Sequence, residues 1–287
     1  MNRRQFTRLF AALGSLQGVQ ALAGKPDPGF NREPVVGDRS QESMETFALF
    51  LDGTPLRVGI LVYPGMYVND VTTLMTIFDA LAGTQILFIG KSMDPVGHGE
   101  NEPPALLPIT PHVTFETCPA QLDVLLVPGA MPGKLAQLSD EPTLAFLRQQ
   151  ADQVKFLGSV GTGSLLLGAA GVLRGYKATT YWPMRELLQG TGATLVKQRV
   201  VFDRNRATAA GSTAAIDLGL RLAEKLRNPA QAQLIQLYME YDPQPPYKSG
   251  SPERAPAKVT RFMTHMHEGL VEQGKATMRE AVSKLKP

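Results

Sequence analysis

Short apolar runs alternate along this chain with segments whose apolar residues recur every three or four positions. Residues 57–63 form the first run, which Pro64 and Gly65 end, and residues 70–81 then show helical spacing. A short apolar run bounded by turn residues is typical of a buried strand, and the second spacing is typical of a helix. Further strands are predicted at 84–90, 123–127 and 155–160, further helices at 141–150, 164–170, 214–226 and 230–241, and a hairpin within 193–209 that turns at 203–206. The alternation predicts an α/β fold of three layers, with an open, mostly parallel sheet and helices on both faces.

The pattern also divides the chain into segments. The folded domain is predicted at residues 55–241, and residues 24–54 before it form a Pro-, Gly- and charge-rich leader without periodicity. After the domain, residues 242–257 form a Pro-rich tether. Residues 258–287 carry an apolar stripe at helical spacing and predict an amphipathic C-terminal helix that docks on the core or on a partner.

Composition and charge narrow the function classes. Of the 287 residues, 43% are hydrophobic, so the chain can bury a substantial core. The net charge of +3 resides in Arg3, Arg4 and Arg8, because the rest of the chain carries acidic and basic residues in equal number. No basic stripe remains for a nucleic-acid partner. The single cysteine excludes a disulfide framework and a multi-thiolate zinc site, and we expect no cofactor.

Two histidines near the C terminus suggest a copper site, since His265 and His267 lie beside Met263 and Met266. However, helical positions i and i+2 face different sides. We therefore expect no metal site.

The N terminus resembles an export signal. Arg3 and Arg4 precede a short apolar run, and Ala21-Leu22-Ala23 provides small residues at a cleavage position. Adjacent arginines in this setting resemble the twin-arginine signal of bacterial export. The apolar run is too short for a stable membrane span. We expect cleavage after Ala23 and a periplasmic protein; the alternative is a short amphipathic first helix.

The segment with the clearest chemical signature is residues 158–171. An apolar strand enters the turn Gly161-Thr162-Gly163 and continues as a helix rich in small residues. This arrangement is typical of a nucleophile elbow, in which one residue at the tip lies over a helix N terminus. A phosphate loop and a simple tight turn are the alternatives. The P-loop pattern and the acidic residue of a dinucleotide site are both absent from the sequence.

Several motifs together resemble the ThiJ/PfpI superfamily, which is class-I glutamine-amidotransferase-like, and within it the isonitrile-hydratase-like branch. Residues 159–163 read Ser-Val-Gly-Thr-Gly where those proteins have Ser-Val-Cys-Thr-Gly, and residues 175–182 match the segment that follows. Residues 63–65, 127–129, 210–217 and 241–246 also match. The resemblance spans residues 55–257 and implies a flavodoxin-like fold, a homodimer and a small-molecule ligand near the elbow.

The chain departs from the pattern of that superfamily at two positions. The nucleophilic cysteine of the family falls on Gly161, and the histidine that follows falls on Tyr181. Cys118 lies outside the elbow, and we interpret it as a buried or strand-edge thiol. Glycine reaches positive φ without the strain that another residue stores at an elbow tip. Because Gly161 has no side chain and Cys118 lies outside the elbow, we expect no covalent cysteine catalysis.

The resemblance makes Asp70 and Thr162 the remaining catalytic candidates, beside the position of the lost nucleophile. Asp70 could orient or deprotonate water, or it could simply cap the helix at 71–81. Backbone N–H groups of Gly129, Ala130 and Thr162 are expected to bind an anion or a carbonyl oxygen. Together with Gly161 and Tyr181 they form the predicted ligand pocket.

Three hypotheses on function follow. The first is a non-catalytic or weakly active family member that binds a small ligand. The second is a hydratase that acts on an isonitrile or nitrile through water activated by Asp70. The third is an interaction or structural protein that uses a dimer surface and residues 258–287.

Overall fold

The computed structural model describes residues 53–98, 106–130 and 135–285. The predicted signal sequence and nearly all of the predicted leader lie outside the described residues. The strands are β1 (Leu56–Leu61), β2 (Thr84–Gly90), β3 (Val96–His98), β4 (Leu106–Ile109), β5 (Val113–Thr114), β6 (Val124–Val127), β7 (Phe156–Val160), β8 (Lys177–Ala178), β9 (Thr194–Leu195), β10 (Val200–Asp203) and β11 (Arg206–Ala209). The helices are α1 (Val68–Ala80), α2 (Glu141–Ala151), α3 (Gly163–Ala169), α4 (Arg185–Gln189), α5 (Ala214–Leu226), α6 (Pro229–Tyr238) and α7 (Ala257–Ser283), with 3-10 turns at Leu135–Ser139 and Trp182–Met184.

Seven strands form the central sheet, in the order β10-β11-β7-β6-β1-β2-β5. All neighbouring pairs in it are parallel except β10 and β11, which form the predicted antiparallel hairpin. The central strand β6 is buried at each of its four positions, as expected where both faces of a sheet are covered. The predicted α/β fold with a mostly parallel sheet is confirmed.

The helices form two groups that cover the two faces of the sheet. In one group α5 packs against both α1 and α6, and in the other α3 packs against α2, α4 and α7. The buried apolar residues of both layers form one hydrophobic core. Within the described ranges, no helix has the length and apolar character needed to cross a membrane.

Local capping explains where two of the helices begin. The side chain of Asp140 accepts a hydrogen bond from the Thr143 N–H at the start of α2, and Asn228 does the same for Gln231 at the start of α6. Asp70 has no such role, and the capping alternative is wrong. Helix α1 begins at Val68, two residues before Asp70, so this carboxyl group lies inside the first turn and is available for other partners.

Candidate functional site

The elbow forms where β7 ends and α3 begins. Gly161 lies at its tip with φ of +51°, a conformation that glycine adopts without strain. Its N–H donates to the Ala209 carbonyl at 2.9 Å, and its own carbonyl accepts from the hydroxyl groups of Ser164 and Thr180, each at 3.0 Å. These hydrogen bonds hold the tip from both sides, so its backbone conformation is fixed by the surrounding structure.

The second glycine of the elbow is required by close packing. A Cβ atom on Gly163 would lie 2.3 Å from the Val127 carbonyl oxygen, which no residue larger than glycine can accommodate. At Gly161, by contrast, the nearest atom to a Cβ would be the Ala210 carbonyl oxygen at 3.9 Å. The elbow tip is therefore open to a side chain, although the sequence provides none.

A pocket of about 140 Å³ lies at this edge of the sheet. It is formed by loops that follow strands β1, β6, β7 and β11, as is usual for ligand sites at the carboxyl ends of parallel strands. Its lining contains every residue predicted from the sequence together with three further ones: Tyr67, Asp70, Gly129, Ala130, Gly161, Thr162, Tyr181, Gly211 and Ser212.

Asp70 is the charged group of the pocket. Its side chain is only 2% exposed, and it accepts hydrogen bonds from the Gly129 N–H at 2.8 Å and from the Ser212 hydroxyl. Ser212 in turn accepts from the Asn69 side-chain amide at 3.0 Å. Burial raises the pKa of Asp70, and the hydrogen bonds from Ser212 and Gly129 offset this only in part. The carboxyl group is thus held in place and takes up a proton more readily than an exposed aspartate.

Thr162 connects the elbow to the neighbouring loop. Its hydroxyl accepts from the Ala130 N–H at 2.8 Å and donates to the Ala130 carbonyl at 3.1 Å. The expectation that Gly129 and Ala130 provide N–H groups to a ligand is therefore wrong, because Asp70 and Thr162 already accept from them. Of the three predicted amide donors, only Thr162 remains, at the start of α3, where N–H groups have no acceptor within the helix.

Two tyrosines form the outer wall of the pocket. Tyr181 is half-buried at the start of the 3-10 turn Trp182–Met184, and Tyr67 is 36% exposed directly before α1. Burial raises the pKa of Tyr181, and the nearby Tyr67 adds to the shift. Tyr181 is therefore neutral at physiological pH, and both rings present apolar surface to the pocket.

Cys118 and the two histidines of the C-terminal helix lie outside the pocket. Cys118 is half-buried between β5 and β6, its thiol contacts the Pro119 carbonyl at 3.6 Å, and burial raises its pKa. His265 is exposed beside Glu268, whereas His267 is buried, so the two histidines face different sides of α7. No cluster of metal-ligating side chains occurs in the part of the chain that the structure describes.

A larger groove of about 970 Å³ lies at the opposite edge of the sheet but contains none of the predicted residues. Its most buried charge is Arg206, whose guanidinium donates to the carbonyl groups of Ala151 and Val172 at 2.8 and 3.0 Å. Ala151 is the last residue of α2, and Val172 lies in the segment after α3. Arg206 therefore has a structural role in joining these two segments, and the smaller pocket at the elbow is the candidate site.

Sequence reasoning missed Tyr67, Gly211 and Ser212 as pocket residues. Ser212 belongs to the matched segment 210–217, and its position directly after β11 was the available signal. Residues after neighbouring parallel strands meet at one edge of the sheet, so Ser212 could have been placed beside Asp70 on topology alone.

A mostly parallel sheet with a strand–elbow–helix pocket at its carboxyl edge defines an α/β protein of the nucleophile-elbow class. Residues 56–225 match the family model of the DJ-1/PfpI family, and the chain belongs to that family. It is 44% identical to isonitrile hydratase of Pseudomonas putida over 204 residues, which are 71% of this chain and 86% of that enzyme.

Solved structures agree with this assignment. A ThiJ/PfpI family protein from Pseudomonas syringae superposes with a TM-score of 0.77 at 40% identity, over 84% of this chain and 96% of that one. An AraC family transcriptional regulator from Pseudomonas putida shares the fold, with a TM-score of 0.55 at 21% identity over 64% of this chain. The isonitrile-hydratase-like character inferred from the motifs is confirmed.

Proposed function

We propose that the pocket at the elbow binds a small, neutral carbon–nitrogen compound of the isonitrile or nitrile class without forming a covalent thiol adduct. The observation that carries this proposal is the position of Gly161. It holds the elbow tip at φ of +51° inside the pocket with no side chain to react. The similarity to isonitrile hydratase over most of that enzyme suggests the ligand class.

The size and polarity of the pocket favour a compact ligand. Its volume of about 140 Å³ is below the roughly 300–1,000 Å³ of pockets that hold drug-sized ligands. The buried carboxyl group of Asp70 disfavours an anion whenever it is ionised. A neutral isonitrile can instead accept from the Thr162 N–H or the Tyr181 hydroxyl, with its alkyl group against the rings of Tyr67 and Tyr181.

A second candidate function is hydration of such a ligand. It is favoured by Asp70, whose buried carboxyl group lines the pocket and has a raised pKa. In this reaction the oxygen of a water molecule bonds to the isonitrile carbon while Asp70 takes a proton from that water. The proton is then returned to that carbon, which gives an N-substituted formimidic acid, and transfer of the remaining hydroxyl proton to the nitrogen gives the N-substituted formamide. General-base help of this kind contributes about 10²- to 10⁴-fold, so turnover would be slow.

One experiment separates the two candidates. The purified protein is titrated with methyl isocyanide and cyclohexyl isocyanide, and formamide production is followed by NMR. Saturable binding without formamide supports the binding function. Formamide production that Asp70→Asn abolishes supports the hydratase, and Asp79→Asn, on the exposed side of the same helix, is the matched control. If neither compound binds or reacts, the proposal is wrong.

We also propose export through the N-terminal twin-arginine signal and assembly into a homodimer. The motif at Arg3 and Arg4 and the resemblance to the family support these two proposals, respectively. Each has its own test in the Discussion.

A further inference from the structure

The C-terminal helix α7 contacts Tyr181, one of the residues that line the pocket. It packs against α4 and against the 3-10 turn Trp182–Met184, which follows directly after Tyr181. His267 lies on the docked side of α7 and is only 6% exposed. Its imidazole meets the Tyr181 ring edge to face, with ring centres 5.7 Å apart and an interplanar angle of 68°. The Tyr181 ring is thus in contact with a residue outside residues 56–225, which match the family model.

The orientation of the His267 ring is fixed within its own helix. Nδ1 lies 2.7 Å from the Met263 carbonyl oxygen, and because a carbonyl can only accept, Nδ1 carries a proton. This hydrogen bond prevents the ring from turning away from Tyr181. Aromatic pairs in this edge-to-face geometry contribute about 0.5–1.5 kcal/mol beyond their buried area.

Of the two residues in this contact, Tyr181 lines the pocket and His267 does not. A shift of the Tyr181 ring therefore changes the width of a cavity of only about 140 Å³. Such a change affects a bulky ligand more than a small one. This contact with Tyr181 is the route by which α7 can act on the ligand.

We propose that His267 is a positioning residue that limits the size of ligand the elbow pocket accepts, by holding the Tyr181 ring in place. This inference rests on the proposed function for the identity of the ligand. The effect of the His267–Tyr181 contact on the width of the pocket does not depend on that function. The size limit is set by α7, so ligand selectivity and docking of the C-terminal helix are linked.

The first experiment measures size selectivity. Affinities for methyl isocyanide and cyclohexyl isocyanide are determined from the fluorescence of Trp182, the single tryptophan of the chain and the neighbour of Tyr181. His267→Ala should raise the cyclohexyl-to-methyl affinity ratio about 2- to 10-fold, the range equivalent to one lost aromatic contact. His267→Phe, which retains an aromatic edge, should restore the ratio to within about twofold. His265→Ala, on the exposed side of the same helix, should not change it.

A double-mutant cycle tests whether His267 acts through Tyr181. Tyr181→Ala alone should raise the same ratio, and adding His267→Ala should change it little further, because residues that act through one contact are not additive. Additive effects of the two substitutions would overturn the proposal. So would an unchanged ratio in His267→Ala protein whose unfolding transition shows that it is folded.

A second measurement needs no ligand. In a Gly161→Cys, Cys118→Ser background, the thiol at the elbow is alkylated with iodoacetamide and with bulky N-cyclohexylmaleimide. His267→Ala should raise the maleimide-to-iodoacetamide rate ratio, and His265→Ala should not. If isonitriles do not bind but this ratio rises, the proposed function fails and the role of His267 stands. If isonitriles bind but neither ratio responds, the role of His267 fails.

Discussion

Gly161→Cys places a thiol at the elbow tip, and its energetic effect can be worked out from the structure. The added Cβ meets only the Ala210 carbonyl oxygen at 3.9 Å, so steric overlap contributes nothing. The cost comes from φ of +51°, a region where a residue other than glycine is less stable by about 1–2 kcal/mol. The tip cannot relax, because Ala209, Ser164 and Thr180 hold both of its backbone groups.

The free energy of unfolding should therefore fall by about 1–2 kcal/mol, which lowers the Tm by roughly 2–8 °C in a chain of this size. The thiol should also be reactive. It lies beside the first N–H groups of α3, which stabilise a thiolate and lower its pKa below the ordinary value of about 8.5. Cys118 is an internal reference, since burial raises the pKa of that thiol.

The assay is alkylation by iodoacetamide across a pH series, with mass spectrometry to assign each modified residue. The matched control is Gly175→Cys, where φ is +72° and an added Cβ meets nothing within 4 Å. That variant has the same backbone strain but no place in the pocket, so it should lose similar stability and keep an ordinary thiol pKa. An elbow thiol that reacts more slowly than Cys118 would refute the reasoning about this pocket.

Four further predictions follow from the structure and the sequence. Asp70→Asn should become more stable relative to the unsubstituted protein as the pH rises from about 4 to 7, as measured by urea unfolding at several pH values. Burial raises the pKa of Asp70 in the folded state, so its contribution to stability is largest below the unfolded pKa near 3.9 and is lost as the folded carboxyl group ionises. Asp140→Ala should lower the free energy of unfolding by about 1 kcal/mol at pH 7, because the cap of α2 is lost. This difference should narrow below about pH 4: burial raises the pKa of Asp140, but the hydrogen bonds from Lys91 and Thr143 outweigh burial and lower it overall. Lys in place of both Arg3 and Arg4 should leave an uncleaved cytoplasmic precursor on immunoblots of cell fractions, and normal periplasmic delivery would contradict the export proposal. The mature protein should sediment as a dimer at micromolar concentration, and a monomer there would contradict the assembly proposal.

Most of the fold could be predicted because each long element repeats one simple pattern. Helix α5 has the predicted bounds, and β2 coincides with the predicted strand at 84–90. The paired strands β8 and β9 were missed, because two residues are too few to show a periodicity. Their pairing depends on the position of the whole 177–195 segment against the core.

The site could be predicted as a set of residues but not as a set of hydrogen bonds. Asp70, Gly161, Thr162 and Tyr181 do meet in one pocket. Which amides remain available to a ligand depends on partners distant in sequence, such as Asp70 for the Gly129 N–H. No local pattern records such a pairing, and for the same reason the sequence did not place His267 beside Tyr181.

The position of Asp70 also bears on whether the site has lost its function. If the elbow served only as a tight turn, a neutral residue in place of Asp70 would make the protein more stable, since burial disfavours the charged carboxylate. Ser212 and Gly129 hold the carboxyl group without fully compensating that cost. Active and binding sites commonly retain groups that reduce stability but serve activity or binding. Asp70 therefore supports the proposal that the pocket binds a ligand, and Gly161 supports the proposal that no covalent bond forms with it.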